Sequence, residues 1–208
     1  MFVIIGCFNW IGFHLLETLL QNGEEVIGVD QLDHPKREHL SMFVGRNANF
    51  TYYETLDQVK KNNLNNHIQA VFMCDQVQSF NRKSISSLKY IQFFPKQKGQ
   101  QEVIEVKLPL LYGEWMDRDE NGIYNSNEFI QYDSALFKEK AIYIKDFIGA
   151  IIQLSDASNS PSTVSYYTPE QLQEQQSSVT DLFILPSNSP TRNLEKVEAH
   201  YQRFNEMY

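Results

Sequence analysis

The chain has 208 residues, of which 42% are hydrophobic and 13% aromatic, which is enough for one domain with a substantial core or one domain with a small appendage. A formal net charge of −8, without a cluster of Lys and Arg, argues against a nucleic-acid partner, because binding to phosphate backbones requires clustered cations. No window approaches the roughly 18 apolar residues of a membrane span, and no basic segment precedes the first apolar run, so we expect no membrane partner and a cytoplasmic location.

The first half of the sequence predicts alternating strands and helices. Apolar periodicity predicts strands at 2–5, 25–29, 50–53 and 70–74, and helices at 11–22 and 56–64. A short helix is also expected in the polar connection after residue 30. This alternation predicts a parallel, doubly wound sheet. Cys7 and Cys74 lie in or beside apolar runs without metal-ligand or CxxC spacing, so we expect two buried thiols.

The second half has weaker patterns. Strands are predicted at 89–94 and 102–108, and helices at 146–154 and 193–206. Residues 155–165 and 173–190 are rich in Ser, Gln, Asn and Pro, which predicts exposed loops. Thr168, Pro169 and Gln171 could start a short capped helix between those loops.

A glycine-rich turn follows the first predicted strand and opens the first helix, within VIIGCFNWIGFHL at 3–15. Gly6 and Gly12 fill the first and third places of a G-x-x-G-x-x-G pattern, which is typical of a turn that binds a dinucleotide pyrophosphate. Asn9 stands at the second place, where a missing Cβ lets the backbone approach the ligand. Asn adopts left-handed backbone angles more readily than most residues, so we expect the turn to keep its shape while the Asn9 side chain occupies pyrophosphate space.

Several segments, in order along the chain, resemble the extended short-chain dehydrogenases/reductases, also called the NAD-dependent epimerase/dehydratase family. The similar segments are GCFNWIGFHL at 6–15, VIGVDQL at 26–32, YYETLD at 52–57, AVFMCD at 70–75, VKLPLLYGEW at 106–115 and AIYIKDFIGAI at 141–151. The resemblance implies a Rossmann-like doubly wound parallel sheet over residues 1–154. It implies a small, reduced C-terminal remnant of the substrate region over residues 155–208.

The resemblance also implies an NAD site. Its phosphate turn would consist of Gly6, Phe8, Asn9, Trp10, Ile11 and Gly12. Asp30, at the tip of the second strand, would hold the adenosine ribose and favour NAD over NADP, because a carboxylate repels a 2′-phosphate. Glu54 would lie near the adenine, whereas Asp75 would add negative charge near the phosphates and weaken binding. Either weak NAD binding is retained, or the turn persists only because Gly12 must pack the helix on the sheet.

Catalysis in this family depends on a tyrosine followed four residues later by a lysine. None of the 11 tyrosines has Lys at that spacing, and the nearest imitation, Phe94 with Lys98, has no proton to give. Residues 75–101 are also too few for the usual catalytic helix, so no catalytic residue is predicted. We expect an inactive, degenerate member that binds a dinucleotide, another nucleotide or a protein.

Two alternatives remain open. An active NAD-dependent epimerase, dehydratase or reductase of nucleotide sugars would need an unorthodox site, such as a Tyr–Lys pair from distant sequence or residues of a partner subunit. An interaction module would instead have its cleft filled by Asn9, Trp10 and Asp75, and an exposed apolar patch for a protein partner or a homodimer.

Four smaller features complete the sequence. Residues 117–128 match an EF-hand calcium loop at Asp117, Asp119, Asn121, Gly122 and Glu128. No helix is predicted before this segment, so a solvated acidic loop is the alternative to calcium binding. Lys36 and Arg37 either reach an adenosine phosphate or form a solvated face. His14 and Asp146 are predicted to be structural.

Overall fold

The computed structural model describes residues 1–61, 67–75, 85–93, 103–125, 128–156, 163–167, 181–184 and 186–208. The strands, in chain order, are β1 (Phe2–Ile5), β2 (Val26–Val29), β3 (Phe50–Tyr53), β4 (Ala70–Met73), β5 (Lys89–Gln92), β6 (Val103–Val106), β7 (Leu111–Tyr112), β8 (Gly122–Asn125), β9 (Glu128–Gln131), β10 (Ile142–Tyr143), β11 (Thr163–Tyr167) and β12 (Asp181–Phe183). The helices are α1 (Trp10–Gln21), α2 (Pro35–Val44), α3 (Leu56–Lys61), α4 (Ala135–Lys140), α5 (Ile144–Asp156) and α6 (Pro190–Phe204), and a 3₁₀ turn covers Asn205–Met207.

The main sheet is parallel throughout, with the order β12-β11-β6-β5-β4-β1-β2-β3. The strand order reverses between β1 and β4, which is the position where open α/β sheets bind ligands. Ile5 lies opposite both Val29 and Met73, so β1, β2 and β4 end at the same level. The predicted Rossmann-like doubly wound sheet is confirmed.

Alternate residues of the strands pack on opposite faces of the sheet. Phe2 and Ile4 face a large core that includes α1, α5 and part of α6. Val3 and Ile5 face a smaller core that, among the described helices, includes α3. The chain is therefore wound on both faces, as the alternating pattern predicts. Cys7 and Cys74 are buried free thiols, which confirms that prediction.

The predicted loops are wrong in part. Helix α5 continues to Asp156, β11 begins at Thr163, and β12 lies within the second predicted loop. Val164 pairs with Val106 of β6. The main sheet thus supplies backbone hydrogen-bond partners, and the segment becomes a strand although its sequence does not predict one. The last helix begins earlier than predicted, because Ser189 caps it and Pro190 takes its first turn. The helix predicted from Thr168, Pro169 and Gln171 lies outside the described residues, as does the Phe94–Lys98 segment.

The calcium-loop alternative is not supported by the fold. Strands β8 and β9 form an antiparallel hairpin in which Asn125 lies opposite Glu128. Asp119 Oδ1 accepts the N–H groups of Asn121 and Gly122, which makes a local turn. The part of the chain that the structure describes contains no group of three or more His, Cys, Asp or Glu side chains that could hold a metal ion. Nor is any helix in that part long and apolar enough to cross a membrane.

Candidate functional site

The β1–α1 turn has the backbone shape of a phosphate-binding turn. Gly6 has a φ of +78°, which favours glycine, and its N–H donates to the carbonyl of Val29 at 2.8 Å. A Cβ on Gly12 would collide with the carbonyl oxygen of Gly6, so α1 can lie this close to β1 only with glycine at that position. Both glycines are therefore required by the turn itself.

Asn9 keeps this turn closed in a way that the sequence does not predict. The expectation of left-handed backbone is wrong, because Asn9 has a φ of −75° and serves as the N-cap of α1. Its Oδ1 accepts the N–H of Gly12 at 2.8 Å, and its Nδ2 donates to the carbonyl of Cys74. The side chain thus ties α1 to the end of β4.

Asp30 lies at the carboxyl end of β2, as predicted, but its carboxylate faces the protein. Oδ2 accepts the Phe8 N–H at 2.7 Å, and Oδ1 accepts the Gln31 N–H at 2.8 Å. The side chain is only 2% exposed. Burial raises the pKa of Asp30 above its ordinary value, although the two N–H groups and Arg37 act to lower it. Its predicted contact with an adenosine ribose stays a prediction, and that contact would require Arg37 to move.

Arg37 of α2 connects three carboxylates at this end of the sheet. Its Nη1 lies 3.0 Å from Asp30 Oδ1 and 3.3 Å from Asp33 Oδ1, and its Nη2 lies 3.8 Å from Asp75 Oδ2. Asp75 follows β4 and also lies against the turn, since a Cβ on Gly6 would be 2.7 Å from the Asp75 Cβ. Lys36 pairs instead with Asp117 at 3.1 Å.

The other predicted site residues occupy different surroundings. Phe8 and Ile11 are buried in the large core, so only their backbones can serve a ligand. Glu54 is exposed directly after β3, where its backbone N–H donates to Gln58 Oε1. Trp10 is half-buried, and its Nε1 donates to the carbonyl of Glu114 at 2.6 Å. The structure thus brings the turn and Asp30 together and leaves Glu54 exposed.

A second buried polar cluster, centred on Glu114, is not predicted by the sequence. The Glu114 carboxylate accepts the Tyr143 hydroxyl at 2.8 and 3.0 Å, and Lys145 Nζ lies 3.1 Å from it. Burial acts to raise the pKa of Glu114, but the charge of Lys145 and the donated hydrogen bonds hold it below its ordinary value. His14 bonds the Glu114 carbonyl at 2.9 Å, and burial lowers the pKa of His14 to about 4.

This cluster brings a tyrosine and a lysine to one carboxylate, but it is unsuited to acid–base chemistry. Burial and the charge of Glu114 raise the pKa of Tyr143 well above its ordinary value. A tyrosine that exchanges a proton with a substrate needs the opposite shift, toward the working pH. No pattern in the sequence marks this cluster, because Glu114 meets Tyr143 and Lys145 only in the folded chain.

The comparisons with known proteins concern the fold. No protein-family model matches the sequence. No curated protein matches it either. Among solved structures, the chain is similar to dTDP-glucose 4,6-dehydratase from Bacillus anthracis str. Ames in complex with NAD, with a TM-score of 0.63, 10% identity, and coverage of 100% of this chain and 98% of that chain. This chain has the fold of that dehydratase.

Two further solved structures agree. The chain is similar to the Bordetella bronchiseptica enzyme WbmH in complex with NAD⁺, with a TM-score of 0.55, 12% identity, and coverage of 97% of this chain and 98% of that chain. It is similar to UDP-glucose 4-epimerase from Thermotoga maritima with UDP-glucose, with a TM-score of 0.52, 12% identity and the same coverage of 97% and 98%. The fold that the sequence resemblance implies is therefore confirmed.

Proposed function

We propose that this chain is a catalytically inactive nucleotide-binding protein that takes a dinucleotide such as NAD at the carboxyl ends of β1, β2 and β4. The β1–α1 turn carries this proposal, because Gly6 has the positive φ and Gly12 the close backbone contact that such a turn needs. The dehydratase and WbmH structures of the same fold contain NAD in their complexes. In this proposal residues 1–154 bind the nucleotide, and residues 155–208 form a reduced region packed on them.

The backbone of the turn supplies the phosphate ligands. The first N–H groups of a helix have no intrahelical partner, and in α1 the Gly12 N–H is already taken by Asn9. The N–H groups of Trp10 and Ile11 are left for a pyrophosphate, with the positive end of the α1 dipole behind them. Glu54 is the proposed adenine-side residue. The affinity is expected to be low, since Asp75 adds negative charge against the turn.

The proposed inactivity follows from the acid–base groups. No tyrosine of the sequence has a lysine four residues later. Tyr143, which the structure places near Lys145, donates a hydrogen bond from its hydroxyl to Glu114 and has a raised pKa. The alternative of an active nucleotide-sugar enzyme therefore lacks support from the one tyrosine that the structure places near a lysine in this cluster. Incubation with NAD⁺ and UDP-glucose or dTDP-glucose should yield no product by chromatography, and any turnover above a protein-free control would refute inactivity.

The binding proposal is tested by calorimetric titration with NAD⁺, NADH and ADP. Asn9→Asp keeps an N-cap acceptor but places a negative charge at the phosphate turn. We expect it to weaken binding by about tenfold, the effect of a nearby like charge at a protein surface. Asn22→Asp places the same charge at the other, exposed end of α1 and should leave the affinity within about twofold.

The outcomes separate a working site from a structural turn. Saturable binding that weakens in Asn9→Asp and not in Asn22→Asp would support the site. Absence of heat with all three ligands at millimolar concentration would refute nucleotide binding and leave protein interaction as the role to test. Equal weakening in both variants would place the ligand elsewhere.

A further inference from the structure

Arg37 spans the mouth of the proposed cleft. Strand β1 lies between β2 and β4 in the sheet. The Arg37 guanidinium contacts Asp30, which follows β2, and Asp75, which follows β4. Its ion pairs therefore cross the carboxyl end of β1, directly beside the turn that the proposed function assigns to phosphate.

We propose that Arg37 is a phosphate ligand of this site, that Asp30 is the residue that positions it, and that Asp75 is an internal competitor of the nucleotide phosphate. The proposal rests on the proposed function, because the competing group is a phosphate of the bound nucleotide. It gives Asp30 a different role from ribose binding. In the absence of a ligand, the ion pairs of Arg37 with Asp30 and Asp75 then close the cleft.

The ion pairs of Arg37 with Asp30 and with Asp75 differ in a way that decides which of the two can open. Asp30 is 2% exposed at its side chain and is fixed by the N–H groups of Phe8 and Gln31. Asp75 is 46% exposed at its side chain, and its oxygen lies 3.8 Å from Nη2, compared with 3.0 Å between Asp30 and Nη1. A charge-assisted hydrogen bond is strongest at about 2.7 to 2.9 Å, so the contact with Asp75 is the weaker one.

A phosphate at the turn would therefore replace Asp75 at Nη2 while Asp30 keeps hold of Nη1. The planar guanidinium suits this exchange, because its donors point in fixed directions and match phosphate oxygens. The exchange also relieves repulsion between the phosphate and the Asp75 carboxylate, provided that Asp75 turns toward solvent. Asp75 thus sets how tightly a nucleotide binds.

The test compares ADP binding by variants that change one charged side chain of this group, either Arg37 itself or a carboxylate beside it. Asp75→Asn should tighten ADP binding by about fivefold or more, because it removes a competitor and a like charge. Arg37→Gln should weaken ADP binding by a similar factor, and Arg37→Lys should recover part of the loss. Asp33→Asn is the matched control. Asp33 lies 3.3 Å from the same guanidinium but 62% exposed and on the α2 side, so its loss should change affinity by less than about twofold.

The positioning role of Asp30 needs a double-variant cycle. If Asp30 acts through Arg37, then Asp30→Asn weakens ADP binding in the wild-type background and has no further effect in the Arg37→Gln background. A merely structural role would weaken binding equally in both backgrounds. Urea unfolding of each variant confirms that the titrated protein is folded.

The outcomes also distinguish this inference from the proposed function. Binding of ADP by the wild type with equal affinities in Asp75→Asn and Asp33→Asn would overturn the competition by Asp75 and leave the nucleotide site standing. Binding that appears only in Asp75→Asn would support both. Absence of binding in the wild type and in Asp75→Asn at millimolar ADP would overturn both.

Discussion

Asp30 and Glu114 are both buried carboxylates with one cationic neighbour, yet their pKa values move in opposite directions. Arg37 lies 3.0 Å from Asp30, and Lys145 lies 3.1 Å from Glu114. The pKa of Asp30 is raised, with burial as the largest cause. The pKa of Glu114 is lowered, although burial is again the largest single influence and acts to raise it. The difference must come from the groups around each ion pair.

Asp30 shares its cation, Arg37, with two other carboxylates, whereas Lys145 forms its ion pair with Glu114. Arg37 also contacts Asp33 and Asp75, and the charge of Asp75 raises the pKa of Asp30 further. Glu114 has Lys145 together with the Tyr143 hydroxyl as a donor. A buried carboxylate is thus stabilised by its share of donors and cations. Around Arg37 three carboxylates share one cation, whereas Glu114 has its own cation and a hydroxyl donor.

The largest loss of stability is expected from Gly12→Ala, because the turn beside Asp30 depends more on close backbone packing than on its charges. Gly12→Ala should lower the free energy of unfolding by about 3 kcal/mol or more, because the added Cβ collides with the carbonyl of Gly6. Gly149→Ala, in the interior of α5 with open space around a Cβ, should raise it by about 0.5 to 1 kcal/mol. Urea unfolding at pH 7 measures both. Equal effects in the two variants would contradict the packing argument.

A smaller loss of stability is expected from replacing the buried carboxylate of Glu114. Glu114→Gln leaves the buried Tyr143 hydroxyl and Lys145 with a neutral amide, and we expect the free energy of unfolding to fall by about 2 kcal/mol. Glu128→Gln, at an exposed carboxylate of β9, should stay within about 0.5 kcal/mol of the wild type. A Glu114→Gln protein as stable as Glu128→Gln would mean that this cluster does not stabilise the fold.

The smallest loss of stability is expected from replacing Asp30, the carboxylate that shares the cation Arg37. Asp30→Asn keeps one acceptor for the Phe8 or Gln31 N–H and removes a charge that burial disfavours, so the cost at pH 7 should be about 1 kcal/mol. Urea unfolding of this variant beside Glu114→Gln gives the comparison directly. If Asp30→Asn cost more than Glu114→Gln, the ranking of the two carboxylates would be wrong.

Acidification should change the stability differences of Glu114→Gln and Asp30→Asn from wild type in opposite directions. The lowered pKa of Glu114 contributes stability above its ordinary value of 4.5, and this contribution is lost as the pH falls through the lowered pKa. The difference in free energy of unfolding between wild type and Glu114→Gln should therefore become smaller in acid. The raised pKa of Asp30 means that the folded state takes up this proton first, so the gap between wild type and Asp30→Asn should widen as the pH falls toward 3.8. Gaps that move in the same direction would break the comparison.

Much of the fold follows from local signals. Strands β1 and β3 have the predicted bounds, α1 begins and ends one residue earlier than predicted, and β2 begins one residue later. Their patterns are local, since apolar runs and a glycine turn specify each element without help from distant residues. Strands β11 and β12 were missed because such segments near a sheet edge become strands only when a neighbouring strand offers a partner, which is β6 for β11 and β11 for β12.

The candidate site likewise has a part that the sequence determines and a part that it does not. The sequence by itself determined the roles of Gly6 and Gly12, because a positive φ and a close helix–strand approach involve only a few consecutive residues. Only the tertiary structure decided where the charges went. Arg37 meets Asp30 and Asp75 from three segments of the chain, and Glu114 meets Tyr143 29 residues away. Coulomb energy and desolvation depend on distance in space and on burial, and neither quantity can be read from spacing along the chain.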